Sequence, residues 1–317
     1  MKDLIILGNG MAGMTAALYA SRAGLDFKIV SRGELDFGQI GDAILVENYP
    51  CVENQSGFDL AMHLHEQLEN LNVIVEEHEI TDIFKDKGNN LFVVEYEDGT
   101  IDTAKTVIYA LGARHRELLC EKDPLIHIHY CALCDGNFYQ DKDVGIIGGG
   151  DSAFSQAEYL SKICRNVSII MCDENITANQ MLVDRVSKIE NINIYKNWPV
   201  HKIDYYTLST GEKRINCITF SQNEDYLAEN GIVVDGVFVA IGMNPNTLPL
   251  YSNFNWILDK NGNIIATEDG WTPIEGLFAA GDVRQKEVRQ SITAAADGAN
   301  AVQSVIKFLK SWNKSQD

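Results

Sequence analysis

The 317-residue chain predicts an α/β fold of two nested Rossmann-like units of three-layer ββα type, the second inserted in the first. Three observations carry that expectation. A short, fully apolar run, Leu4 to Leu7, feeds Gly8-Asn9-Gly10-Met11-Ala12-Gly13 and then an Ala-rich helical stretch. The same order recurs at Val144-Gly145-Ile146-Ile147-Gly148-Gly149-Gly150-Asp151-Ser152-Ala153. Two similar strand ends, at Gly112-Ala113 and Ile241-Gly242, mark where the chain leaves the first unit and where it returns. The expected boundaries are 1–113 with 247–317 for the outer unit, and 114–246 for the inserted one.

In order along the chain, the first turn lies between a strand at Leu4 to Leu7 and a helix through Met14 to Ala23, stopped by Gly24; a second strand follows at Phe27 to Val30. This is the order of a dinucleotide-binding unit. Its glycines permit a tight turn and let backbone N–H groups at the helix start approach a pyrophosphate, which makes Gly8, Gly10, Met11, Ala12 and Gly13 binding candidates. The acid expected for an adenosine ribose is missing: Ser31 stands there, with Glu34 further on. A polar segment covers Asp36 to Pro50, and a helix runs from about Phe58 to Leu71. Alternation from Val73 to Thr100 around Asn89-Asn90 predicts antiparallel hairpin strands, and Thr106 to Ala113 a buried strand.

The inserted unit continues with a helix from about Ser152 to Ile163, then strands at Val167 to Met171, around Ile192, at Val200 to Tyr206 and at Ile215 to Phe220. Asp235 to Gly242 closes it. Gly276 to Val283 returns a strand to the outer unit, with Gly281 and Asp282 at its carboxyl end, where a parallel sheet places ligands. A last helix covers about Ser291 to Leu309.

Composition narrows the function. With 45% hydrophobic and 22% charged residues the chain reads as a soluble globular protein, and no apolar run approaches the roughly 20 residues a membrane helix needs. A net charge of −19 argues against nucleic acid and anionic membranes as partners. Met1-Lys2-Asp3 leads straight into a strand, so no signal peptide is expected, and seven cysteines in so long a chain indicate a reducing, cytoplasmic setting.

The chemistry centres on Tyr130-Cys131-Ala132-Leu133-Cys134-Asp135-Gly136. Cysteines three apart can close a short disulfide, and a helix start beneath them would favour the thiolate. Half a zinc site and two buried thiols are the competing readings. Cys51, Cys120, Cys164, Cys172 and Cys217 are scattered singly and no histidine pair completes a ligand set, so no metal is expected. Asp135 is an acid/base candidate for the thiol protons, or a charge partner for a helix N-terminus; the two roles are compatible.

Together, Gly8 to Gly13, Val46-Glu47-Asn48-Tyr49-Pro50, Cys131 to Gly136, Gly148 to Ala153, Gly281-Asp282-Val283, and Arg289-Gln290 with Thr293-Ala294 resemble low-molecular-weight thioredoxin reductase over essentially the whole chain. The resemblance implies FAD on the outer unit, its pyrophosphate against Gly8 to Gly13. Ser31, Gly38, Gln39, Asn48, Gly112, Gly281, Asp282, Arg289 and Gln290 are the further cofactor-binding candidates. It also implies a homodimer, with Cys134 facing the flavin and Cys131 attacking the disulfide of thioredoxin or a thioredoxin-like protein. Because one dithiol cannot face a buried flavin and a bulky protein in a single pose, the inserted unit is expected to rotate about 113–116 and 243–247.

One stretch departs from the family. A His-Arg-Arg-x-x-x-Arg pattern there holds the 2′-phosphate of NADPH; here the aligned residues are Met171-Cys172-Asp173-Glu174-Asn175-Ile176-Thr177. In lacking that pattern the chain is most like the ferredoxin-dependent flavin thioredoxin reductases, so reduced ferredoxin is the expected donor, with Arg284, Lys286 and Arg289 as its docking patch. Three alternatives stay open: an NADH enzyme using Asp173 for a ribose hydroxyl, a dithiol oxidase passing electrons to O₂, and a non-enzymatic flavin redox sensor.

Other features read as structural. Arg114-His115-Arg116 is a solvated hinge, or else a contact for an acidic partner or the flavin phosphates. His127 and His129 mark strand faces, with a proton relay as the alternative. Trp312 caps the last helix, unless it shields the flavin face, and Cys172 is structural. Asn137-Phe138 stands where the family often has two aromatics that grip thioredoxin.

Overall fold

Leu4, Ile5, Ile6 and Leu7 have no exposed surface, and they divide between two cores. Leu4 and Ile6 enter one hydrophobic cluster, Ile5 and Leu7 another, as the two-residue period of a strand covered on both faces requires. The computed structural model describes residues 1–314 except 42, 44, 45, 47, 54, 87, 119–127, 208, 210–212 and 221–230. Glu47, Cys120 and His127 lie outside the described residues, as does the side chain of Cys217. The chain divides into Met1–Arg114 with Asn244–Asp317, and His115–Met243.

The outer unit begins with β1 (Lys2–Leu7), α1 (Met11–Arg22), β2 (Phe27–Ser31), α2 (Gly57–Glu69), β3 (Val75–Glu77), β4 (Ile80–Lys85), β5 (Phe92–Tyr96) and β6 (Ile101–Tyr109). Ser56 starts α2 by accepting a hydrogen bond from the Asp59 N–H at 3.0 Å. The predicted hairpin is β4–β5, turned with Asn90 at a φ of 60°. It does not begin at Val73. Val75–Glu77 pairs parallel with β2 instead, extending the sheet beyond Ile29 to Ser31. Three residues are too few for an alternation pattern to separate the two outcomes.

The chain leaves through β7 (Ala113–His115) and builds the inserted unit from β8 (Ile128–His129), α3 (Ala132–Asp135), β9 (Asp143–Ile147), α4 (Asp151–Leu160), β10 (Asn166–Ile170), α5 (Gln180–Val186) and β11 (Ile192–Tyr195). There follow β12 (Val200–Thr207), β13 (Lys213–Phe220), β14 (Ile232–Val233) and β15 (Gly236–Val239). The parallel sheet runs β11-β10-β9-β15-β8, beside an antiparallel β12-β13-β14. Its order β11-β10-β9 repeats β3-β2-β1 of the outer unit, each with a glycine-rich turn after the last-named strand.

The return crossing, β16 (Met243–Pro245), pairs with β7. The outer unit is completed by β17 (Leu277–Ala279) and α6 (Ser291–Lys314). Strand β6 pairs parallel with β1, and has two further partners: its first half pairs antiparallel with β5, its last half parallel with β17. Helix α6 lies so close to α1 that a Cβ on Gly298 would sit 2.1 Å from the Ala12 carbonyl oxygen. Trp312 packs on Phe308 of the same helix, ring centroids 5.8 Å apart. Among the described residues no helix is long and apolar enough to cross a membrane.

Candidate active site and cofactor cradle

Parallel strands β1, β2, β6 and β17 bring their carboxyl ends to one edge of the outer sheet. Gly8 to Gly13 follow β1, Ser31 ends β2, Gly112 follows β6, and Gly281-Asp282 follow β17. Sterics fix the first turn. Gly8 has a φ of +107°, and a Cβ on it would lie 2.4 Å from the Ala110 oxygen. Around this edge Asn48 Nδ2 donates to Gln290 Oε1 at 3.0 Å, Gln39 Nε2 to the Ala113 oxygen at 2.5 Å, and Arg289 Nε to the Asp282 oxygen at 3.4 Å.

Two buried oxygens here have no hydrogen-bonding partner among the described residues: Asn9 Oδ1 and Asp282 Oδ1. Asn9 is 1% exposed and ties Nδ2 to the Glu34 oxygen at 2.6 Å. Sequence reasoning passed over it, because its only signal was its place between two fingerprint glycines. Orphaned acceptors beside the N–H groups of a helix start suit a ligand that brings both phosphate and hydroxyls. FAD is such a ligand.

Burial pushes the Asp282 carboxyl up to about 6, against an ordinary 3.8. A raised carboxyl means that the folded chain keeps its proton longer than the unfolded one, so apoprotein stability falls as pH rises from about 4 to about 6. Asp282→Asn should therefore stabilise the apoprotein at pH 7 by up to about 3 kcal/mol, with no gain below pH 4, while weakening FAD retention. Melting curves of the apoprotein at both pH values, with FAD titrations, check this; equal stability of the two proteins at pH 7 would contradict it.

The docking patch expected from Arg284, Lys286 and Arg289 is not there. Arg284 is 2% exposed, with Nε and Nη2 on Asp297 at 2.9 Å, and Lys286 Nζ donates to Asp297 at 2.8 Å. Arg289 is half-buried, committed to Asp282 and to Asn263 Oδ1. Asp297 also accepts the Gly281 N–H at 3.0 Å, so it braces the loop that carries Asp282. Burial pushes the Asp297 carboxyl up, but the bonds from Arg284 and Lys286 outweigh it and hold it below the usual range. Asp297→Ala would strand Lys286 and leave Arg284 with only exposed Glu268 as an acidic partner, and should cost about 3–5 kcal/mol in chemical denaturation.

The dithiol lies in the inserted unit. Cys131 precedes α3 as its N-cap, and its carbonyl accepts the N–H groups of Cys134 and Asp135 at 3.2 and 3.1 Å. The cysteines are joined as a disulfide, with Cα atoms 5.3 Å apart. Both are half-buried, while Leu133 and Phe138 beside them are exposed. Asp135 is 8% exposed; Oδ2 lies 3.0 Å from His129 Nδ1, and Oδ1 is buried with no partner among the described residues. Cys164 and Cys172 are poorly suited to exchange. Burial pushes Cys164 up to about 11, and burial together with Asp173, 3.3 Å from its sulfur, raises exposed Cys172. The His115 ring stacks on Tyr130, and its burial disfavours the charged imidazolium.

The second glycine-rich turn keeps its backbone form but is closely covered by the segment after β10. Thr177 N–H and Oγ1 both donate to the Gly149 oxygen, at 3.0 and 3.2 Å, and a Cβ on Gly149 would lie 2.7 Å from Met171 Cε. Met171 is buried, Asp173 and Glu174 are exposed, and Asn197 holds the Glu174 carboxylate. Of the side chains aligned with the phosphate-binding pattern, none is a cation.

Fold and site define a nucleotide-binding disulphide oxidoreductase. The pyridine nucleotide-disulphide oxidoreductase family matches residues 2–298. A thioredoxin reductase of Mycoplasma genitalium is 34% identical over 306 residues, covering 96% of this chain and 94% of that one. A Clostridium pasteurianum protein named "34.2 kDa protein in rubredoxin operon" is 37% identical over 311 residues, 97% of each chain. The crystal structure of thioredoxin reductase from Streptococcus pyogenes superposes with a TM-score of 0.83 at 34% identity, covering 98% of this chain and 99% of that one. The chain belongs to the low-molecular-weight thioredoxin reductases of that family, and its cofactor is FAD.

Proposed function

We propose that the protein reduces the disulfide of thioredoxin or a thioredoxin-like protein through Cys131 and Cys134, with reduced ferredoxin as the electron source. The observation that carries the reductase reading is a cystine at a helix start, flanked by exposed Leu133 and Phe138 and backed by a buried carboxylate with one open oxygen. The α1 N-terminus, with Asn9 and Asp282 as acceptors, would hold FAD, which would supply the electrons that open the disulfide. Cys131 as thiolate then attacks the partner disulfide: its bond to a partner sulfur forms and the partner S–S bond breaks. Cys134 attacks Cys131 in turn, re-forming the cystine and releasing the partner as a dithiol. Asp135 holds and returns the thiol protons.

The donor assignment rests on the side chains after β10. NADPH recognition would need cations where Met171, Cys172, Asp173 and Thr177 stand. Reduction of thioredoxin by ferredoxin is downhill: roughly −400 mV against −270 mV releases about 6 kcal/mol for two electrons. Anaerobic titration of the oxidised flavoprotein with NADPH, NADH and reduced ferredoxin in turn, reading flavin bleaching, tests it.

A further inference from the structure

We propose that His129, with Tyr139 behind it, is a positioning residue for the proton chemistry of the dithiol; this rests on the reductase reading and deepens it. Three side chains form a line. His129 Nδ1 lies 3.0 Å from Asp135 Oδ2, and His129 Nε2 lies 2.7 Å from the Tyr139 hydroxyl. His129 and Asp135 are 6% and 8% exposed, so neither trades its partner for water. An ionised carboxylate only accepts, which places the hydrogen of a neutral His129 on Nδ1; Nε2 then accepts from the tyrosine O–H. Every bond in the line points its hydrogen toward Asp135.

The scaffold holds this line in place. His129 ends β8, in register with Phe238 of β15, and its ring also packs against Phe238 with centroids 5.2 Å apart. Tyr139 packs edge-on to both rings and over Gly236, where a Cβ would lie 2.2 Å from its Cε1. Only glycine at 236 admits the tyrosine. Lys142 sits 5.5 Å above the Tyr139 ring, and Tyr159 of α4 lies against Gly136.

The consequence follows from the two carboxylate oxygens. With Oδ2 held by the imidazole, Oδ1 keeps one fixed direction and no competing donor among the described residues. When Cys131 or Cys134 becomes a thiolate, its proton passes to that oxygen; when a partner thiolate leaves, the proton passes back. His129 touches neither sulfur in this scheme. It acts by keeping the carboxylate aimed.

The test reduces the protein with dithiothreitol, removes the reagent, adds an oxidised substrate, and follows re-formation of the Cys131–Cys134 disulfide by quenched mass spectrometry. Both oxidised thioredoxin and dithiodipyridine serve as substrate. His129→Leu should slow the saturated rate by about ten- to a hundredfold with half-saturation unchanged. His129→Asn, whose amide keeps a donor near Nδ1, should recover to within about threefold of the parent. Tyr139→Phe should lose about two- to tenfold. A His129→Leu rate equal to the parent, or His129→Asn as slow as His129→Leu, overturns the proposal; should His129→Leu not fold, a parent-like Tyr139→Phe does so. A parent that oxidises with dithiodipyridine but not with thioredoxin counts against the thioredoxin reading alone, and the His129 comparison is then decided on the small disulfide.

Discussion

Cys134→Ser should abolish turnover of thioredoxin while leaving FAD bound and the fold intact. Dithiol exchange needs two sulfurs in sequence, and a serine hydroxyl supplies neither a nucleophile nor a leaving group of comparable acidity. Loss of roughly three orders of magnitude or more in rate is expected for removal of a nucleophile. The short helix α3 does not depend on the sulfur: its start is tied by the Cys134 and Asp135 N–H groups on the Cys131 carbonyl, and Ala132 anchors it at 1% exposure. The two single variants should also differ from each other. With Cys131 present and Cys134 absent, the partner is attacked but never released, so a mixed disulfide accumulates and is visible by mass. Cys131→Ser should give no such species. Full reductase activity in either variant would sink the mechanism.

How much of this was legible in sequence depends on how local the cause is. Gly8 had to be glycine for a reason within the turn itself, its φ of +107°, so the cradle could be read directly. The dithiol was equally local, with two sulfurs on one helix start. Arg284 and Lys286 were misread for the opposite reason. Their partner Asp297 lies on α6, and charged residues default to solvent unless tertiary packing brings an opposite charge to them. His129 falls between these cases. Its alternation with His127 marked a strand face, but the approach of Asp135 depends on how β8 turns into α3, which no spacing rule encodes. Helix α5 escaped: at seven residues it is too brief to show a period.

NADPH should fail to bleach the flavin even at millimolar concentration, whereas reduced ferredoxin should bleach it. Each charged hydrogen bond missing from a 2′-phosphate site is worth about 1.5–3 kcal/mol, so three absent arginines remove roughly three to six orders of magnitude in affinity. Asp173 and Glu174 make matters worse for a phosphate: both are exposed at the end of β10, and Glu174 is fixed there by Asn197. Nor does Thr177 offer a phosphate a neutral donor instead, since its hydroxyl and N–H are both spent on the Gly149 carbonyl. Ferredoxin docking to a chain of net charge −19 has to be local, and with Arg284 and Lys286 buried on Asp297 it must use other cations. Its rate should fall as salt rises, because exposed charges are screened over about 10 Å at 0.1 M ionic strength. Anaerobic titrations at low and high salt read both effects. Rapid, saturable bleaching by NADH, lost in Asp173→Ala, would instead make Asp173 a ribose ligand and overturn the ferredoxin assignment.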